Sequence, residues 1–212
     1  ILYERKQNDS CIFIRGNKED YWLNRRKDQN CDWKSGNRSV MAMIYNYNSL
    51  NAKDLDFFET LPISQSIRFA GMEPVLACHG TPFENQKALL SEELFVQKCE
   101  ERYIICGHTH MQGFVPDGKK KIINAGAVGV PLKSPKKTQY MILTSDGKDW
   151  KPEFLSLEYD VDTVIKEIHE SGLWDASPYW CRITEHLLYA GELPHGTVLN
   201  HVMKLNDYQE PW

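Results

Sequence analysis

Three apolar runs of the sequence each end in side chains that can bind a metal ion. Residues 13–17 end in Gly-Asn, residues 76–80 end in His-Gly, and residues 105–110 end in Gly-His-Thr-His. In an open α/β sheet, ligands bind beyond the carboxyl ends of the strands, so side chains from separate strands can converge there. Imidazole nitrogens and amide oxygens both bind divalent transition metals. Asn17, His79, His108 and His110 are therefore candidate metal ligands.

The Gly-His-Thr-His pattern is the most informative of the three. Two histidines at i and i+2 on a regular strand share a face but stand well apart along it. One compact site requires the chain to leave the strand, and Gly107 indicates that it does. A lone strand-end histidine such as His79 is by itself more often structural. The same structural interpretation is given to the histidines without a partner motif: His169, His186, His195 and His201.

The elements that must position these residues are predicted from hydrophobic patterning. Short apolar runs bounded by Gly or Asn are typical of buried strands. They occur at residues 11–14, 75–78, 103–106 and 121–123, with alternating strands at 66–70, 139–144 and 153–159. Helices are predicted over 18–26, 39–48, 52–60, 91–101 and 160–171, and two more within 178–208.

The composition limits the classes of function. The chain has 212 residues, 42% of them hydrophobic, and a formal net charge of −4. These values fit one globular domain and exclude global disorder. A mildly acidic chain is a poor binder of long nucleic acid, and no apolar run approaches the roughly 18 residues of a membrane span. None of the six cysteines forms a Cys-x-x-Cys pair, so a four-thiolate zinc site is not expected. In a chain of this length, six reduced thiols in a cytoplasm are a better prediction than a disulfide framework.

The order and spacing of the motifs resemble the calcineurin-like metallophosphoesterases, in their small phosphodiesterase-like branch. The resemblance rests on Gly16-Asn17, on His79-Gly80, on the Gly-His-Thr-His of residues 107–110, and on residues 123–131 after them. It implies an α/β fold, an αββα sandwich of two β-sheets flanked by helices. It covers residues 11–131 and divides the chain into a metallophosphoesterase core at 1–160 and a C-terminal helical extension at 161–212, packed on the core.

The resemblance also implies two divalent metal ions. Asn17, His79 and His108 would bind one ion, and His110 would bind the other. Two ions roughly 3.5–4 Å apart would clamp the phosphoryl oxygens and generate a hydroxide that attacks phosphorus in line. Mn²⁺ is the expected ion, and Fe, Zn and Ni suit the same ligands.

The chain departs from the family pattern in two places. Family members carry an Asp-x-His and then a Gly-Asp motif before Gly-Asn, whereas only 15 residues precede Gly16 here. We therefore expect the sequence to begin after those motifs, with the N-terminal strands missing. The family usually has His after Asn, but this chain has Lys18. Lysine can stabilise a phosphate oxygen as a point charge or donate a proton, and a solvated lysine at a helix start is an equal alternative.

The predicted function is hydrolysis of a small phosphoester, as a phosphodiesterase or phosphatase, in the cytoplasm and away from membranes. Residues 21–38 contain basic and aromatic side chains, among them Arg25 and Arg26, that could hold a nucleotide. A charged surface helix and loop is the commoner explanation of that segment. The alternative function is a non-catalytic binding domain that keeps the fold and one ion. The sequence predicts no oligomeric state and no natural substrate.

Overall fold

The computed structural model describes residues 2–7, 11–28, 33, 40–89, 96–117 and 119–192. The chain forms two compact units, each made of several segments. The first unit is Ile1–Gln29, Asn51–Ala127 and Tyr140–Leu155, and the second is Asn30–Leu50, Val128–Gln139 and Ser156–Trp212. The helices after residue 160 share the second unit with residues 30–50 and 128–139.

The first unit is built on a five-stranded sheet. Its strands are β1 (Ser64–Ile67), β2 (Val75–Cys78), β3 (Tyr103–Cys106), β4 (Gly113–Asp117) and β5 (Lys120–Asn124). Their order is β1-β2-β3-β5-β4, with β2, β3 and β5 parallel and the two edge strands antiparallel to their neighbours. The parallel strands are the predicted apolar runs, and parallel strands buried on both faces read as continuous apolar sequence.

A second sheet packs against one face of the first. It is the hairpin of β6 (Lys137–Ser145) and β7 (Trp150–Glu158). Val75, Tyr103 and Ile123 from the first sheet form one buried cluster with Trp150 of the hairpin. The opposite face buries a separate cluster made of Leu76, Cys78, Leu89, Cys99, Ile104, Cys106 and Ile122. Alternation along each strand assigns its apolar side chains to these two clusters.

Helices complete both units. In chain order they are α1 (Leu2–Gln7), α2 (Asn17–Lys27), α3 (Met41–Ser49), α4 (Ala52–Glu59), α5 (Val161–Glu170), α6 (Leu173–Ala176) and α7 (Pro178–Ala190). In the first unit, α2 packs on α4 through Trp22 and Phe58, whose rings stack with centroids 5.7 Å apart. In the second unit, α7 buries Tyr179, Ile183 and Leu187 in one apolar cluster. The molecule is a mixed α/β protein with a central sheet and flanking helices, which confirms the predicted fold class.

Several predicted elements are wrong. Residues 11–16 are not a strand: Ile12 is exposed, and the ring of Phe13 contacts that of Phe57 on α4. Of that run, Phe13 packs on a helix rather than in a strand ladder. The strand predicted over 66–70 ends at Ile67, and β4 was not predicted. Of the helix predicted over 91–101, the described part is a 3₁₀ turn, Val96–Lys98. The second tail helix lies outside the described residues.

Within the described residues, no helix is both long enough and apolar enough to cross a bilayer.

Candidate metal centre

Asn17 is the first residue of α2, and Gly16 caps that helix. The Gly16 N–H donates to Glu19 Oε2 at 2.8 Å, which satisfies one of the free amides at the helix start. A Cβ added at Gly16 would lie 2.8 Å from that oxygen and 3.4 Å from the ring of His79. Glycine therefore lets the start of α2 approach the end of β2. As a result, Asn17 Oδ1 lies 3.0 Å from His79 Nε2.

His79 and His108 come from two neighbouring parallel strands. His79 follows β2, and Gly107 follows β3, where its N–H donates to the His79 carbonyl at 2.8 Å. The next residue along, His108, places Nδ1 3.3 Å from His79 Nε2. The two rings meet edge to face, with centroids 5.2 Å apart. Three donor atoms from three separate segments of the chain therefore meet at one point.

The chain leaves the strand at Gly107, as the sequence predicted. His108 has a φ of 66° and His110 a φ of 58°, both in the left-handed region that residues other than glycine rarely adopt. Asn124, at the end of β5, holds this turn by donating to the Gly107 carbonyl at 2.6 Å and to Thr109 Oγ1 at 2.9 Å. The sequence analysis missed this role. A polar side chain at the end of the next parallel strand was the signal that could have found it.

The surroundings keep the imidazoles neutral. Burial, together with the neighbouring His108 and His110, lowers the pKa of His79 to about 4, while Asp20 acts in the opposite direction. Burial, then His110 and Lys18, also lower the pKa of His108. Neutral imidazole is the form that binds metal ions. His110 is therefore close enough to affect the pKa of both His79 and His108, and Lys18 that of His108.

The donor set fits one divalent ion. Two ring nitrogens that each lie about 2.1 Å from an ion at a tetrahedral angle are about 3.4 Å apart, and the separation found here is 3.3 Å. Asn17 Oδ1, 3.0 Å from His79 Nε2, could add an oxygen ligand. Without an ion, the two rings are joined by a hydrogen bond. Among the described residues, no group of three or more His, Cys, Asp or Glu could hold an ion, so this centre depends on the Asn17 amide.

The remaining predicted site residues have varied surroundings. Lys18 is exposed, its ammonium lies 5.4 Å from the ring centroid of Tyr21, and desolvation of that group lowers its pKa. Arg26 is not brought to the histidines, because its guanidinium pairs with Asp56 at 2.7 Å and Glu59 at 3.7 Å. Arg25, one residue before it on α2, is half-buried.

The histidines assigned a structural role lie elsewhere. His169 stacks on Trp174 with centroids 4.0 Å apart and contacts Glu185 at 2.6 Å. His186 is half-buried on α7. His195 and His201 lie outside the described residues.

Comparison with known proteins identifies the family of this chain. The chain is 25% identical over 191 residues to an uncharacterized protein of Methanocaldococcus jannaschii, an alignment covering 81% of this chain and 73% of that protein. Its fold matches a metallophosphoesterase of Sphaerobacter thermophilus, with a TM-score of 0.64 at 19% identity, over 84% of this chain and 76% of that one. It also matches a hypothetical protein of Pyrococcus horikoshii, with a TM-score of 0.66 at 14% identity, over 91% and 79% of the two chains. The family model of the calcineurin-like phosphoesterase superfamily domain matches residues 3–148, and the chain therefore belongs to that superfamily.

Proposed function

We propose that this protein hydrolyses a small phosphoester with the help of two divalent metal ions. Asn17, His79 and His108 would bind the first ion, and His110 would contribute to the second. One observation carries the proposal: His79 Nε2, after β2, lies 3.0 Å from Asn17 Oδ1 at the start of α2 and 3.3 Å from His108 Nδ1 after β3. Membership of a phosphoesterase superfamily supports the same class of reaction.

The bound ions would supply Lewis acidity, which neutralises charge on the phosphoryl group and activates a water molecule. The chain itself supplies orientation. Neutral rings at His79 and His108 would each offer a nitrogen lone pair to the ion, and Asn124 fixes the backbone that carries His108. The N-terminus of α2 adds partial positive charge close to Asn17. Lys18, in the first turn of that helix, would serve as a point charge for a phosphate oxygen.

The proposed substrate class is a small phosphodiester, with Mn²⁺ as the expected ion. Arg25 stays a candidate substrate contact, whereas the two carboxylates paired with Arg26 direct that side chain toward α4. The net charge of −4 supports a small substrate over long nucleic acid. Cytoplasmic location remains part of the proposal.

The test uses the full-length protein and bis(4-nitrophenyl) phosphate as an aryl phosphodiester. We expect Mn²⁺ to raise the hydrolysis rate, and we expect His79→Ala and His108→Ala each to lower kcat/KM by about 100-fold or more. His169→Ala is the matched control, since its ring stacks on Trp174 in the second unit. Wild-type rates in the His79 and His108 variants would refute the assignment.

The same experiment distinguishes the hydrolase from the alternative function, a non-catalytic binding domain. A non-catalytic binding domain would bind Mn²⁺ yet show no Mn²⁺-dependent turnover of phosphodiesters or of 4-nitrophenyl phosphate. Isothermal titration calorimetry with Mn²⁺ therefore runs alongside the rate measurement. Binding without turnover would refute the proposed hydrolase and support the binding domain.

A further inference from the structure

We infer that Asp20 and Asn85 are positioning residues that lock α2, and with it Asn17, onto the loop after His79. The inference rests on the proposed function, because it concerns how the first metal site is held together. Asp20 lies three residues after Asn17 on α2, so both side chains share one face of the helix. Its Oδ1 lies 2.9 Å from Arg15 Nε, and its Oδ2 accepts from Asn85 Nδ2 at 2.8 Å.

The Asn85 side chain is committed to this contact. A carboxylate only accepts hydrogen bonds, so the amide must turn its nitrogen toward Asp20. Asn85 is 2% exposed, and its Oδ1 has no partner in the described part of the chain. A buried amide oxygen without a partner costs free energy that an apolar side chain would avoid. The bond to Asp20 accounts for an amide at this position, whereas packing alone does not.

The loop that carries Asn85 is rigidly connected to His79. Thr81 N–H donates to the Glu84 carbonyl at 2.9 Å, and Glu84 N–H donates back to Thr81 Oγ1 at 2.9 Å. The loop also folds onto Gly80, where a Cβ would lie 2.3 Å from the Lys87 carbonyl oxygen. The position of Asn85 is therefore set relative to the end of β2.

Asp20 consequently joins three segments: the chain before α2, the helix itself and the loop after β2. Rotation or translation of α2 would lengthen the Asp20–Asn85 bond and the 3.0 Å contact between Asn17 Oδ1 and His79 Nε2 together. Asp20 thereby holds Asn17 in position at the first metal site. Such supporting contacts orient metal ligands, and their loss typically costs about 10–100-fold in metal affinity.

The experiment measures the Kd of Mn²⁺ by calorimetry on the full-length protein. Asn85→Asp places two carboxylates against each other and should weaken Mn²⁺ binding by about 10–100-fold. Asp20→Asn with Asn85→Asp restores an amide–carboxylate hydrogen bond with the roles exchanged, and should recover at least half of the loss on a logarithmic scale. Asn46→Asp makes the same chemical change at an exposed position on α3 and should leave the Kd unchanged.

Equal Mn²⁺ affinity in Asn85→Asp and wild type would overturn the inference, as would a double variant no better than the single one. If Asn85→Asp does not fold, Asn85→Leu replaces it. A crystal structure of metal-free Asn85→Leu should show the contact from Asn17 to His79 longer than 3.0 Å. An unchanged contact there would also overturn the inference.

The two proposals fail in different ways. Wild-type protein that binds Mn²⁺ without hydrolysing phosphoesters refutes the proposed function, while the comparison of Kd values still decides the roles of Asp20 and Asn85. Wild-type protein that binds no Mn²⁺ refutes both. Hydrolysis by wild type with unchanged Mn²⁺ affinity in the variants refutes the positioning roles alone.

Discussion

Replacing Gly80 with alanine should destabilise the protein, because the loop after His79 folds back onto this glycine. An added Cβ would lie 2.3 Å from the carbonyl oxygen of Lys87 and 2.9 Å from those of Glu84 and Asn85. All three are backbone atoms, so no change of rotamer relieves the overlap. Gly80 is not among the glycines with a positive φ, and the effect therefore isolates steric contact from backbone strain.

The magnitude follows from the displacement that alanine requires. Real Cβ atoms essentially never approach within 3.0 Å, so the Lys87 carbonyl must move by about 0.7 Å to open its 2.3 Å gap. Overpacking of this kind costs about 1–3 kcal/mol, which for a chain of this size lowers Tm by roughly 2–12 °C. The loop carries Asn85, so the same shift should also weaken Mn²⁺ binding.

Gly129→Ala is the matched control for this prediction. Nothing lies within 4 Å of a Cβ built at Gly129, and its φ is outside the left-handed region. Alanine there restricts the unfolded chain and should stabilise the protein by about 0.4–1 kcal/mol. The two substitutions are chemically identical and are expected to act in opposite directions.

Differential scanning calorimetry of both variants and wild type provides the measurement, with circular dichroism to verify folding at the starting temperature. A Tm for Gly80→Ala at or above the wild-type value would refute the steric argument. So would equal losses in Gly80→Ala and Gly129→Ala, because they would show that the close approach at residue 80 is not what determines the effect.

Three further predictions concern stability and metal binding. Tyr103→Phe should lower the free energy of unfolding in urea by about 1–3 kcal/mol, since the buried hydroxyl accepts from the Trp150 backbone N–H at 3.1 Å and donates to Asp149 at 2.6 Å. A smaller loss would contradict this network. Hydrogen bonds from Tyr103 and Lys121 lower the pKa of Asp149, so the stabilising effect of this carboxylate is complete above about pH 4 and disappears as pH falls through the lowered pKa. The acid-induced fall in Tm should therefore be smaller in Asp149→Asn than in wild type, and equal falls would exclude this carboxylate as a cause. Mn²⁺ at about 100 times its Kd should add about 2.7 kcal/mol to the free energy of unfolding, which raises Tm by roughly 5–11 °C. EDTA should reverse this rise, and His79→Ala should not show it. A rise that persists in His79→Ala would place the ion elsewhere.

The parallel strands and their ends could be predicted because their sequence signal is strong. Runs of four apolar residues followed by Gly or His mark β2 and β3, and those two strands are neighbours in the sheet. Parallel neighbours end at the same edge, which is why His79 and His108 come together. The prediction failed for residues 11–14, an equally apolar run in which Phe13 contacts Phe57 of α4. A short apolar run alone does not distinguish a strand in a sheet from an irregular segment whose side chains contact a helix.

Two of the supporting residues, Asp20 and Asn85, could not be predicted from the sequence. Their side chains contact each other although they are 65 positions apart in the sequence. No periodicity records such pairs, since each depends on where a loop or strand end lies in the folded chain. A ligand type can be recognised from its motif, whereas the groups that orient it become visible only in three dimensions.

His108 and His110 adopt left-handed backbone conformations that cost folding free energy at the candidate site. Residues other than glycine in this region cost about 1–3 kcal/mol each, so the turn persists only where its surroundings require it. Asn124 meets that need with bonds to Gly107 and Thr109, and the strand-end amide of Gly107 adds its bond to His79. Each bond contributes about 0.5–1.5 kcal/mol, so together they offset most of the strain. An extended continuation of β3 would avoid the strain but would carry the ring of His108 away from that of His79. The fold therefore stabilises a locally unfavourable turn at the point where two imidazole nitrogens face each other, and this supports the proposal that His79 and His108 bind one ion.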